Sequence, residues 1–306
     1  MAKYIGQRMI VGVLSLLVLV SIAFFLTRAI PGSPFAGGNT SKTVQTSIEA
    51  EHGLDQSWMT QYRQYMVSIF RGDFGMSYHK QGVSVNEVIK RAWPVTALIG
   101  VLAVLAAMVF GTLLGICQAL SSRKIVRRGI FMGTILGTAI PSFVIGILSI
   151  WIFGIKLKIL PVSGLNGPKN LVLPVLSLCA YPTGVVTRLM CNAFEQELKQ
   201  DYVILARAKG MKTREIAIFH VLKNAWHPVL NYIGPGAAFL ITGSFVIESI
   251  FTIPGLGREF VNSIANRDYT LILGLTVFMG TVVIVVNLLV DLISAWIDPR
   301  MRRWLR

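Results

Sequence analysis

Two carboxylates, Glu248 and Asp291, lie within long apolar runs of this chain, and a charge held inside a bilayer is costly enough to need a purpose. Such groups relay protons, contact a solute or pair with a neighbouring helix. Asn287, Asp291 and Ser294 recur at i, i+4 and i+7, with Gly280 on the same side, so they form one polar stripe that must face the bundle or a wet cavity. Asp291 sits about two turns from the end of its span, where pairing with a basic residue or a neighbouring helix is the structural alternative to solute contact. Glu248 is within reach of Arg258 or Arg267 in the loop that follows it. Catalytic patterns are missing. His52, His79, His220 and His227 show no H-E-x-x-H spacing, no G-x-S-x-G is present, and no G-x-x-x-x-G-K-[ST] phosphate loop exists. Cys117, Cys179 and Cys191 lack C-x-x-C spacing and read as packing residues. No metal, no catalysis and no nucleotide binding by this chain alone are expected.

The elements that position these groups follow from composition. With 54% hydrophobic and 14% charged side chains over 306 residues, the chain reads as an integral membrane protein. A helix needs roughly 20 apolar residues to cross the hydrocarbon layer. Six segments qualify: Met9 to Ala29, Val95 to Leu120, Gly129 to Gly154, Leu171 to Met190, Val229 to Phe251 and Leu271 to Ile297. The first is too long for a cleavable leader, lacks an A-x-A site and reads as a retained span. Arg123, Lys124, Arg127 and Arg128 after the second span place that loop in the cytoplasm, as do the bases of the loop after the fourth span and of the tail from Arg300 to Arg306, so both termini are expected there. The net charge of +15 then serves topology and contact with anionic lipid, and no basic run interleaved with aromatics supports nucleic acid binding.

The stretch from about residue 30 to 94 is too long for a simple connection and is expected to form a small external cap. Met59, Tyr62, Met66 and Ile69 mark one amphipathic helix in it; Ser84-Val85-Asn86-Glu87 is a capping box that opens a second, with Val88 and Ile89 as apolar contacts. The cap either covers span ends or docks an external partner. Gly129, Gly133 and Gly137 on the third span, and Gly111 and Gly115 on the second, are expected at helix contacts. Pro141 should kink the third span near Ala139, and Gly234-Pro235-Gly236 should loosen the start of the fifth. Without an internal repeat, 1–306 reads as a single membrane domain.

The loop between the fourth and fifth spans, about 191–228, holds Asp201, Tyr202 and Val203, then Ala206, Arg207, Ala208, Lys209 and Gly210. The small residues thin a helix surface for close approach, and Gly210 can end that helix in a left-handed conformation. Thr213 is a plausible N-cap for a second short helix, with Ile216, Phe219 and Leu222 on one stripe. Spacing alone leaves two readings open, a docking surface for a partner and an interfacial helix lying on lipid.

The run Ala206-Arg207-Ala208-Lys209-Gly210 after Asp201-Tyr202-Val203, continued by His220, Leu222, Asn224, Ala225 and Pro228, resembles the coupling motif of ABC importer permeases of the peptide and nickel branch. Pro31-Gly32-Ser33-Pro34-Phe35, Gly72-Asp73-Phe74-Gly75, Pro141-Ser142-Phe143, Pro254-Gly255-Leu256-Gly257, Asn266-Arg267-Asp268-Tyr269 and Ile297-Asp298-Pro299-Arg300 are similar to landmarks of oligopeptide permease B subunits, so the likeness spans essentially the whole chain. Ile204-Leu205 departs from the motif, which carries an acidic residue and an alanine or an Arg-Thr there. The resemblance implies an all-α integral membrane fold of six transmembrane helices, with the external cap after the first and a cytoplasmic coupling helix after the fourth. It implies a permease subunit of an ATP-driven oligopeptide importer in a bacterial inner membrane. The expected partners are a related second permease, two ATPase subunits that bind ATP and Mg, and an extracytoplasmic peptide-binding protein. Dipeptides, glutathione or nickel complexes are alternative cargoes. An ion-coupled secondary transporter is the alternative class, and it would need buried carboxylates near the midplane.

Overall fold

Amides and carbonyls in a lipid layer must pair within their own segment, and the computed structural model, which describes residues 2–31, 33–35 and 42–297, meets that demand almost entirely with helix. α1 spans Ala2–Ala29. The cap follows with α2 (Lys42–Glu51) and α3 (Trp58–Phe70), the latter capped by the Ser57 side chain. α4 (Val85–Leu120) starts at Ser84, whose hydroxyl accepts from the Glu87 amide at 3.2 Å. α5 (Lys124–Ala139) and α6 (Ser142–Ser149, extended by a π-helical segment Ile150–Lys156) meet at a break of 105°. α7 (Lys169–Glu197) leads to α8 (Asp201–Ala208) and α9 (Thr213–Ile216). α9 passes through a π-helical turn, Ala217–Val221, into α10 (Leu222–Thr242). α11 (Phe245–Ile250), α12 (Leu256–Ala265) and α13 (Tyr269–Ile297) complete the order. Among the described residues five helical stretches are long and apolar enough to cross a membrane, and counting the bent α5/α6 pair as one broken span gives six.

α7 is the central helix. α4 approaches it closely because Gly111 and Gly115 leave no side chain where Val186 and Met190 must sit; a Cβ at either glycine would lie 2.6 to 2.7 Å from those side chains. α5 and α10 flank the same helix, and α1 packs on α13. Ser21 on α1 shares a 2.7 Å hydrogen bond with Tyr62 on α3, and Phe24 packs against Tyr62 and Tyr65, which seats the cap on the end of the first span.

Several expectations change. The second cap helix is the first part of α4, continuous with the second span through Pro94, which lies inside the helix. Met59 is exposed, while Gln61 turns inward and donates to the carbonyls of Leu54 and Gln56. The third span is not one kinked helix: it breaks at Ile140-Pro141 because proline cannot donate and the residue before it avoids helical backbone. The fifth span passes through Gly234-Pro235-Gly236 unbroken and breaks instead at Gly243, whose φ of 105° is open to glycine and strained for other residues. A Cβ on Gly129 or Gly133 would meet open space, so of that trio only Gly137 stands where a side chain would press on another helix, at the Ala180 carbonyl. Residues 36–41 and 298–306, with the last basic residues and Asp298-Pro299-Arg300, lie outside the described residues, as do Gly32 and the Ser294 side chain.

Candidate functional site

The loop between α7 and α10 is held by one apolar cluster. Val203 and Ala206 of α8, Ile216 at the end of α9, and Ala217 and Val221 of the π-helical turn are buried with Val186, Met190 and Phe194 of α7. A polar clasp reinforces it. The Tyr202 hydroxyl donates to Glu197 at 2.6 Å, and the Asn224 amide donates to the Tyr202 oxygen at 3.3 Å, joining the end of α7, α8 and the start of α10. Partial burial, then the bond to Glu197, raises the Tyr202 phenol above its ordinary pKa.

α8 ends in a Schellman motif. The Gly210 amide donates to the Arg207 carbonyl at 2.9 Å and the Met211 amide to the Ala206 carbonyl at 3.2 Å, with Gly210 at φ 78°. Lys212, not Thr213, is the N-cap of α9, and its amide donates to the Glu215 carboxylate at 3.1 Å. The expected stripe does not form. The π-helical turn shifts the helical phase after Ile216, so Ile216 is buried whereas Phe219 is 70% exposed and His220 is exposed; Leu222 is half-buried. The second short helix is likewise no separate bar lying across the membrane face, because it continues into the fifth span.

The outer face of the loop is amphipathic. Asp201, Arg207, Ala208 and Lys209 are exposed, and so are Ile204 at 60% and Leu205 at 57%, one helical step from the anchors Val203 and Ala206. Ile204 and Leu205 stand at the positions where the chain departs from the motif.

At the other end of the spans, the landmark residues converge. Glu248 is only 3% exposed; its carboxylate accepts from the Gly257 amide at 2.7 Å, the Arg258 amide at 3.2 Å and the Thr96 hydroxyl at 3.1 Å. It therefore caps α12 rather than pairing with the Arg258 or Arg267 guanidinium. Gly243, Gly255 and Gly257 crowd around it, and a Cβ at Gly243 would come within 2.6 Å of its oxygen. Pro254 immediately precedes Gly255, the N-cap of α12. Asp268, buried at the start of α13, accepts from the Ser77 hydroxyl, the Tyr78 amide at 3.2 Å and the Leu271 amide at 3.1 Å. Arg267, at φ 56°, sets the turn that aims it. Gly72, Asp73, Phe74 and Gly75 lie in the same cluster: Asp73 accepts from the Gly75 amide at 2.9 Å, and Asn86 clamps the Phe74 amide and the Gly72 carbonyl.

Asp291 forms an ion pair with Arg8 on α1 at 3.3 Å, and Asn287 is half-buried one turn earlier on α13. Neither Glu248 nor Asp291 lines the large cavity. That cavity, of about 1000 Å³, is bounded by α1, α7, α10 and α13 and by both helix breaks, Ala139 to Ser142 and Thr242 to Phe245. Among the described residues no charged one lines it; its polar groups include the hydroxyls of Thr138, Ser142, Tyr181, Tyr232 and Ser244. Among the described residues no cluster of His, Cys, Asp or Glu is arranged to hold a metal.

Residues 109–303 match the family described as binding-protein-dependent transport system inner membrane component, and residues 1–100 match its N-terminal family model. The dipeptide transport system permease protein DppB of Bacillus subtilis is 38% identical over 99% of this chain and 98% of its own length. The oligopeptide transport system permease protein OppB of Escherichia coli K12 is 38% identical over 99% of this chain and 100% of its own. Among solved structures, an inward-facing MetNI methionine ABC transporter chain superposes with a TM-score of 0.59 at 15% identity, covering 69% of this chain and 96% of that one. The chain is thus a multi-pass membrane protein belonging to the family of binding-protein-dependent transport system inner membrane components, the permease subunits of ABC importers.

Proposed function

We infer that this chain forms half of the pathway of an ATP-driven peptide importer, with oligopeptides as cargo. The observation that carries the inference is the uncharged cavity of about 1000 Å³ onto which both helix breaks open. Hydroxyls and freed backbone groups there can exchange hydrogen bonds with a peptide main chain without selecting its side chains. A wall without fixed charge also holds neither a zwitterion nor a charged side chain too strongly to release.

The 201–222 loop is the coupling element, and the chain acts as one transmembrane domain with its termini in the cytoplasm. An ATPase subunit docks on the exposed face made by Ile204, Leu205, Phe219 and the neighbouring bases. Two such subunits bind ATP and Mg, a second permease closes the cavity, and a peptide-binding protein meets the external face. Motion of α8 and α9 reaches the cavity because α9 continues into α10. Dipeptide uptake is the second reading, favoured by the equal likeness to a dipeptide permease.

Purification from native membranes should recover a second permease and two ATPase subunits, and the reconstituted complex should take up tetra- and pentapeptides in preference to dipeptides when ATP is supplied. Dipeptide preference selects the second reading. ATP hydrolysis by the isolated chain, or uptake driven by a proton gradient without ATP, overturns the importer reading.

A further inference from the structure

A second concave region lies on the opposite side of α7 from the translocation cavity, and its two parts differ in chemistry. At one end of α4, α5 and α7, a pocket of about 390 Å³ is lined by Gln118, Arg127, Arg128, Arg188, Asn192 and Glu195, among others. Arg127 pairs with Glu195 at 2.8 Å, and among the described residues no carboxylate pairs with Arg128 or Arg188. The excess positive charge stands on the first turns of α5, where the helix dipole is already positive and the N-cap, Arg123, supplies no side-chain acceptor. An anion relieves both. Gln118 is only 9% exposed and its Oε1 has no hydrogen-bond partner. The pocket therefore asks for an anion that also carries a donor.

The same three helices also line an apolar groove of about 570 Å³, with Gly129, Gly133 and Gly137 on one side and Leu176, Ala180 and Gly184 on the other. The glycines predicted as helix contacts are what open it: nothing lies within 4 Å of where a Cβ of Gly129 or Gly133 would be. From Leu176 to Thr187 the groove follows α7 for roughly 16 Å at 1.5 Å per residue, the reach of an acyl chain segment.

We propose that the pocket and the groove together form a site for one anionic glycerophospholipid with a hydroxylated headgroup, of the phosphatidylglycerol kind. The phosphate sits among Arg127, Arg128 and Arg188, a headgroup hydroxyl donates to Gln118, and one acyl chain fills the glycine groove. Charge complementarity in the pocket and an apolar groove on the same three helices select an amphiphile over a free anion, which leaves the groove empty, and over a soluble partner subunit, which does not enter the hydrocarbon layer. The inference rests on the chain's place in the bilayer and is independent of its cargo.

The test is native mass spectrometry of the assembled complex after exchange into nanodiscs of phosphatidylglycerol or phosphatidylcholine. Wild type should retain phosphatidylglycerol selectively, and Arg128→Gln and Arg188→Gln should each lower its affinity roughly fivefold. Gly133→Leu, which fills the groove and alters no charge, should also release the lipid. Millimolar inorganic phosphate should displace little. Equal retention of the two lipids, or phosphatidylglycerol retention unchanged in the arginine variants and in Gly133→Leu, overturns the proposal. Displacement by phosphate with no effect of Gly133→Leu identifies an anion site instead of a lipid site and overturns it equally.

Discussion

Thr96 on α4 and Glu248 on α11 are 152 positions apart in sequence and share a buried hydrogen bond of 3.1 Å, while the same Thr96 oxygen accepts from the Leu256 amide at 2.8 Å. One hydroxyl and one carboxylate thus hold the second span, the broken end of the fifth span and the start of α12 together. Glu248→Leu should strand the amides of Gly257 and Arg258 at about 1–3 kcal/mol for each lost acceptor, measured as thermal unfolding of the purified complex. Glu248→Gln should be much milder, because its oxygen can serve the two amides while its NH2 donates to Thr96. Equal stability of the Leu and Gln variants would remove this hub from the account. Gly255→Ala, whose methyl would collide with both Glu248 and Thr96, should resemble the Leu variant.

Gly210 has open space around it, so a substitution there acts through its φ of 78° alone. Gly210→Val should strain the turn by about 1–3 kcal/mol and lower ATPase docking and uptake at unchanged membrane insertion. Gly210→Asn, which tolerates the left-handed region, should retain more activity than Val. The check is co-purified ATPase per permease, and wild-type recovery for the Val variant would exclude the turn from coupling.

The exposed apolar face of the loop should matter more than its charges. Leu205→Ser and Phe219→Ser remove surface that is open to solvent in the isolated chain, so stability should change little while ATPase recovery falls several-fold. Loss of membrane insertion by these variants would show that the two side chains pack within the permease instead.

Arg8 and Asp291 are partly exposed on their respective helices, and such a pair contributes about 0–1 kcal/mol. Asp291→Asn should leave ATP-driven uptake within about twofold of wild type and its pH profile unshifted. Uptake that disappears in this variant and requires a proton gradient would instead mark Asp291 as a proton carrier, since an amide cannot release and recapture the proton.

Burial and the bond to Glu197 hold Tyr202 in its neutral form, so its folded pKa exceeds the value near 10 expected in the unfolded chain. Its contribution to stability is complete below that unfolded value and is lost as pH rises through the higher folded one. Tyr202→Phe should therefore alter the alkaline limb of a stability profile and leave the slope between about pH 6 and 8 unchanged. Difference absorbance of the phenolate against the Phe variant measures the titration directly.

Composition and apolar run length determined that the chain is helical and lies in a membrane, because solvation of backbone groups in lipid leaves few alternatives. The end of α8 was also legible, since a glycine after Ala206-Arg207-Ala208-Lys209 can end a helix in the left-handed conformation for local reasons. Tertiary structure decided the rest. A proline and a glycine each permit a break, yet Pro141 breaks the third span while Pro235 leaves α10 whole, since neighbouring helices determine whether a freed carbonyl can be tolerated. The π-helical turn that turns Phe219 outward follows from packing Ile216, Ala217 and Val221 into a shared cluster, which periodicity within one segment does not report. Glu248 read as an intramembrane charge of unknown purpose because its partners, Thr96 and the amides of Gly257 and Arg258, are brought to it only when separate helices pack. The cavity likewise belongs to no segment: it exists because breaks in two distant spans face the same space.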